Sequence, residues 1–184
     1  MRGWILLISV LLPGLCGAAY AVDTTNVWVN VPYVKQEKDA CGAASMAMVM
    51  EYWQRQEGWP ASPNAQTTHI LQALYSDTAH GIYASAMERY LRQNGYQTYA
   101  FAGQWSDLER EIKKGRPLIV ALKPDASRSL HYVVVAGVND PQQLVLLNDP
   151  AQRKLLKVER SRFEREWQAT KDWTLLAVPR MSPH

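Results

Sequence analysis

The chain has 184 residues, of which 47% are hydrophobic and 20% charged, and its formal net charge is +3. That size and balance suit a folded unit with a substantial apolar core and exclude a disordered chain. Lys and Arg are dispersed, the densest group being Lys113, Lys114 and Arg116, so no nucleic-acid partner is indicated.

The first 21 residues read as an export signal. Arg2 supplies a positive end, and Trp4 to Leu12 is an apolar run too short to favour a membrane span. Pro13 and Gly14 break that run, and Ala19 and Ala21 place small residues where a signal peptidase reads. Cleavage after Ala21 is expected, leaving 22–184 as a single exported domain, with the periplasm as its compartment. An uncleaved anchor is the alternative, and membrane contact is expected only if the segment is retained. Cys16 offers a third route, lipid modification, although Leu15 stands where such sites want a small residue. After cleavage Cys41 is the lone cysteine, unable to form an internal disulfide, so it is inert, paired between chains, or reactive.

Val27 to Val34 is expected to be extended, with Pro32 restricting its middle. Lys35 to Ala40 is a polar loop. From Cys41 to Gln54 the apolar residues Ala43, Ala44, Met46, Ala47, Val49, Met50 and Trp53 follow helical spacing on more than one face, which predicts a central, buried helix. Gly58 to Pro63 is a loop. Thr67 or Thr68 caps a short helix through Tyr75, and a further helix spans Tyr83 to Gln93 with Gly95 closing it. Tyr96 to Phe101 reads as a strand. Ser106 opens a helix, with Glu109 completing a capping box and Gly115 ending it. Strands follow at Leu118–Leu122, Leu130–Val138, Gln143–Leu147 and Leu155–Val158, then a short helix at Ser161–Trp167 and a closing strand at Trp173–Val178. Helices first and strands later predict an α+β fold, with N-terminal helices on a mostly antiparallel sheet.

The candidate chemistry begins at Cys41. Unpaired backbone N–H groups and the helix dipole at a helix start favour thiolate over thiol. Gly42 would let a substrate backbone approach closely. His131 opens the strongest strand, and Asp149 ends the next one, in Asn148-Asp149-Pro150. A hairpin joining these strands would put both residues at one end of the sheet, so the carboxylate could orient the imidazole and the imidazole activate the thiol. Gln36, upstream of Cys41 in the polar loop, can donate to a developing oxyanion beside the Cys41 amide. His69, His80 and Asp77 fit no strong metal-ligand spacing, and no cofactor is implied. His80 to Tyr83 is expected to form a loop near the cleft. Trp59, Trp105 and Trp167 are expected to be core residues rather than groove lining, and the run Glu109, Arg110, Glu111, Lys113 and Lys114 reads as a solvated helix face.

Three segments carry a resemblance. Val31-Pro32-Tyr33-Val34-Lys35-Gln36 with Ala40-Cys41-Gly42-Ala43-Ala44-Ser45, then Leu130 to Val138, then Leu147-Asn148-Asp149-Pro150-Ala151, resemble the nucleophile, histidine and aspartate segments of the bacteriocin-processing peptidases. These are papain-like cysteine peptidases best known for trimming double-glycine leader peptides. The resemblance spans Val29 to Val178 and implies Gln36 as oxyanion residue, Cys41 as nucleophile, His131 as general base and Asp149 as its partner. Two departures stand out. Ala40 occupies the place where many relatives carry Asp, and the chain has no transporter or P-loop segment like the best-known members. The implied activity is cleavage of a peptide or protein substrate through a thioester, with a component of an export or assembly system as the expected partner. The alternatives are an acyltransferase or transpeptidase using the same thioester, deamidation of a Gln side chain, and a non-catalytic peptide-binding module.

Overall fold

The computed structural model describes residues 26–124 and 129–180. The expected signal segment, Cys16 and His184 lie outside them. The elements are β1 (Val27–Trp28), α1 (Cys41–Glu57), a 3-10 turn at Pro63–Ala65, α2 (Thr67–Leu74), α3 (Ala84–Gln93), β2 (Tyr96–Ala102), α4 (Trp105–Lys113), β3 (Leu118–Leu122), β4 (His131–Asn139), β5 (Leu144–Asn148), β6 (Leu156–Glu159), α5 (Arg160–Gln168) and β7 (Trp173–Pro179). The sheet runs in the order β2-β7-β3-β4-β5-β6, with β1 also paired to β4. Every strand pair is antiparallel.

Side-chain alternation divides the sheet between two cores. Ile119, Ala121, Tyr132, Val134, Ala136, Leu175 and Ala177 face α1, α2 and α3. Leu118, Val120, Leu122, Val133, Val135 and Leu176 face the other way, toward Leu108 and Ile112 of α4 and Phe163 and Trp167 of α5. Burial on both faces explains why β3 and β4 are unbroken apolar runs rather than alternating ones. The central helix is buried from Gly42 to Met50, and Gly58, with φ of +66°, ends it in a left-handed cap.

In the stretch expected to be extended, Val27 and Trp28 pair with β4, the Val29 N–H donates to the Ala136 carbonyl at 2.8 Å, and Asn148 then holds the Val31 carbonyl. Other expectations need correction. Helix α4 begins at Trp105, and its reciprocal cap is formed by Gln104 and Asp107, not Ser106 and Glu109; the Asp107 carboxylate accepts the Gln104 N–H at 2.9 Å. Neither Thr67 nor Thr68 caps α2, since Gln66 occupies the cap position and Thr67 is already helical. Glu111 is not on a solvated face. It is 5% exposed and gathers Arg110, Lys114 and Arg116, which hold its carboxyl below the usual range against the opposing effect of burial.

Strand β4 carries a bulge between Val135 and Gly137, where Trp28 of β1 crosses it. A Cβ on Gly137 would stand 2.7 Å from Trp28 Cβ and 3.0 Å from the Val27 carbonyl oxygen. Gly137→Ala should therefore cost about 1–3 kcal/mol through overpacking. A urea titration would show this as a lower midpoint with an unchanged slope, and an unchanged midpoint would mean that β1 yields freely.

Candidate active site

Cys41 is the first residue of α1 and is partly exposed, while the rest of the first turn is buried. The loop before it reverses through Asp39, whose φ of +56° is a conformation Asp tolerates better than most residues. The helix start abuts β4. Ser45 Oγ donates to the Tyr132 carbonyl at 3.1 Å, and a Cβ on Gly42 would meet Tyr132 Cδ2 and Ile82 Cβ at 3.4 Å each. A side chain at 42 would therefore point inward, into ordinary contact with Tyr132 and Ile82, and not toward an incoming substrate.

His131 opens β4, paired with Leu122 of β3. The β4–β5 ladder ends at Val134 and Asn148, so Asp149 steps out of it and reaches back toward His131. Its Oδ1 meets His131 Nε2 at 2.8 Å. The hydrogen bond between the ring and Cys41 is therefore left to Nδ1. The imidazole stands between sulfur and carboxylate, as the hairpin argument requires.

The electrostatics follow from that contact. Burial pushes the Cys41 thiol up, but the hydrogen bond from His131, the backbone N–H groups of Tyr132 and Gly42 and the imidazolium charge outweigh it and bring the thiol below its ordinary value. Burial pulls His131 down, yet the hydrogen bonds and charges of Asp149 and Cys41 raise it to about 9. Asp149 is pushed up by burial and brought below the usual carboxylate range by His131, the Ala151 N–H and Gln152. Burial and the Cys41 charge push the neighbouring Tyr132 phenol up to about 12, which keeps it neutral.

Gln36 lies across the same cavity of about 310 Å³, with its N–H donating to the Pro150 carbonyl at 2.9 Å. Its Oε1 is enclosed without a donor among the described residues, and its Nε2 has no hydrogen bond among them. Two further residues hold this loop, and sequence reasoning assigned a role to neither. Asn148, fully buried, donates to the Val31 and Pro32 carbonyls and accepts from the Leu155 N–H, and Tyr33 donates to the Asp149 carbonyl at 3.2 Å. Their only sequence signal is proximity to the motifs.

The cavity continues past His131 over Leu122, Leu147, Leu156 and Val158 of the second core. His80 lines it, as the loop expectation has it, together with Asp39. His69 is exposed on α2, away from this cavity. Trp105 and Trp167 are core residues, as expected. Trp59 departs from that expectation, being 38% exposed, and lines a separate cavity of about 1140 Å³ at the β2–β7 end. Among the described residues, no group of His, Cys, Asp and Glu is arranged to hold a metal, and no helix is long and apolar enough to cross a membrane.

The model of the Peptidase_C39 like family matches residues 28–174. The chain belongs to that family. Among solved structures, a Bacillus anthracis protein described as C39-like superposes with a TM-score of 0.65 at 16% identity, covering 86% of this chain and 100% of that one. A double glycine motif protease from an AMS/PCAT transporter, in complex with the leader peptide, gives 0.63 at 22% identity, covering 84% and 98%. The peptidase domain of Streptococcus ComA, a bi-functional ABC transporter involved in a quorum sensing pathway, gives 0.62 at 20% identity, covering 82% and 100%. No curated protein matches the chain. At these identities the structural likeness establishes the fold of the C39 peptidase domains, and the family match places this chain among cysteine-peptidase-type proteins.

If His131 holds the Cys41 thiolate, iodoacetamide labelling of Cys41 should have a midpoint below that of an ordinary thiol. Its reactive ion pair should persist up to about pH 9, where His131 loses its proton. In His131→Ala only the Tyr132 and Gly42 backbone N–H groups are left to oppose burial, so the labelling midpoint should move upward. An unmoved midpoint would show that the imidazole does not hold the charge.

Proposed function

We propose that this C39-like chain is an exported cysteine peptidase in which Cys41, His131, Asp149 and Gln36 carry the reaction. The observation that supports this most is the imidazole of His131 standing between the Cys41 sulfur and the Asp149 carboxylate, 2.8 Å from the latter. The thiolate attacks the scissile carbonyl carbon, and the electron pair moves onto the oxygen. Gln36 Nε2 and the Cys41 amide donate to that oxyanion. His131 gives its proton to the departing amine as the C–N bond breaks, leaving a thioester on Cys41. Water then attacks the thioester with His131 taking its proton, and the tetrahedral intermediate expels the thiolate and releases the new carboxyl end. Asp149 keeps Nε2 engaged throughout, so that Nδ1 does the proton transfer.

The substrate class proposed is a peptide or a segment of a protein. One structural neighbour was solved with a leader peptide, and another belongs to an ABC transporter. From these we carry over only the class of substrate and the setting of an export or assembly system. The compartment proposed is the periplasm, with residues 1–21 removed and 22–184 acting as one unit.

Cys41→Ala should lose cleavage of a reactive peptide library by roughly 10⁴-fold or more while keeping the circular dichroism of the parent. Gln36→Ala should lower kcat by about 10²–10³-fold with little change in KM. Full turnover by Cys41→Ala would overturn the reading. Mass spectrometry of the exported protein should find Val22 as its first residue, and a lipidated Cys16 or an intact Met1 would overturn that part alone.

A further inference from the structure

The carboxylate of Asp149 is held by more than its histidine. Oδ1 accepts from His131 Nε2 at 2.8 Å and from the Ala151 backbone N–H at 2.9 Å. Oδ2 accepts from Gln152 Nε2 at 2.5 Å, the one bond to this oxygen among the described residues. Gln152 is itself an exposed residue, while the Asp149 side chain beneath it is only 6% exposed. The Gln152 backbone N–H donates to the Asp149 carbonyl at 3.0 Å, and the Asp149 N–H to the Arg153 carbonyl at 3.1 Å. Residues 149–153 thus form a closed turn that carries the amide over the carboxylate.

We propose that Gln152 is a positioning residue of the site, whose amide locks the Asp149 carboxylate so that Oδ1 stays on His131. The inference rests on the reading that the His131–Asp149 pair holds the Cys41 thiolate. A carboxylate turns about its Cβ–Cγ bond with little resistance unless both oxygens are engaged. Ala151 and His131 both engage Oδ1, so neither fixes Oδ2. Without Gln152, Oδ2 loses that donor and the space above it opens to water, toward which the group turns. That rotation takes Oδ1 off Nε2 and frees the ring to tilt away from sulfur. Gln rather than Glu is needed here, because a second carboxylate at 2.5 Å would repel the first. The amide assignment follows from the same contact, since its carbonyl end would put two acceptors face to face.

Other charged or titratable groups about the site are Tyr132 next to His131, Asp39 and His80 on the loops beside Cys41, Tyr33 before it, and Arg162 and Glu166 of α5. Tyr33 bonds the Asp149 backbone carbonyl and not the carboxylate, and these groups are the same in every variant compared below.

The test uses the full chain and two readouts that need no substrate. One is the NMR titration of the His131 ring, assigned by its loss in His131→Ala. The other is the pH dependence of iodoacetamide labelling at Cys41, read by peptide mapping. Gln152→Ala should lower the His131 midpoint from about 9 by roughly one pH unit or more and move the labelling midpoint upward. A merely structural role would change the urea midpoint and leave these titrations alone. Should Asp149→Asn move the His131 midpoint while Gln152→Ala leaves or raises it, the assignment of Gln152 is overturned by itself. Should Asp149→Asn leave it unmoved, the underlying pair fails, and Gln152 with it.

Discussion

The arrangement depends on one contact, the first turn of α1 against the start of β4. Ser45 bonds the Tyr132 carbonyl, and the inward side of Gly42 faces Tyr132 and Ile82. Helix α1 is buried on nearly every side, so it cannot rotate without disturbing its whole core. Cys41 is therefore delivered beside His131 by packing, and the polar contacts are formed between groups that packing has already brought together. That order is favourable, because little side-chain entropy remains to be lost when the sulfur meets the ring.

The same burial sets the electrostatic problem. Taken alone, low exposure would keep the thiol protonated and the imidazole neutral. A charged pair survives only because each member is the other's partner and because Asp149 adds a third charge with further donors behind it. The polar investment is correspondingly deep. Asn148 ties the segment before Cys41 to the end of β5, Tyr33 and the Gln36 N–H bond the Asp149–Pro150 carbonyls, and the turn to Arg153 encloses the carboxylate. Breaking any of these strands a buried polar group, so the site and the local fold are stabilised by the same bonds.

Much of this was legible before any coordinates. The Val-rich run of β4, the Ala and Met spacing of α1 and the Asn-Asp-Pro turn after β5 are simple local signals, and the elements stand within a few residues of where those signals put them. Errors cluster where local signals compete. Ser106 and Thr67 are good caps by type, yet Gln104 and Gln66 hold the cap positions because tertiary packing sets where each helix begins. Glu111 looks solvated in a run of charges, but it lies on the α4 face that turns inward, and three cations gather on it. Gly42 reads as room for a substrate, but a side chain there would point inward toward Tyr132 and Ile82.

By itself, the order of residues determined the α+β class, the helix start at Cys41, the strand start at His131 and the turn after Asp149, because each is written in short-range hydrophobic period and backbone preference. It also carried the family, through three spaced segments. What only the tertiary structure decided is which atoms meet: Nε2 rather than Nδ1 on the carboxylate, the free amide nitrogen of Gln36, the second core behind the sheet, and the hold of Gln152 on Oδ2. Those are matters of rotamer and register, and a chain position states neither until the neighbours that forbid the alternatives are in place.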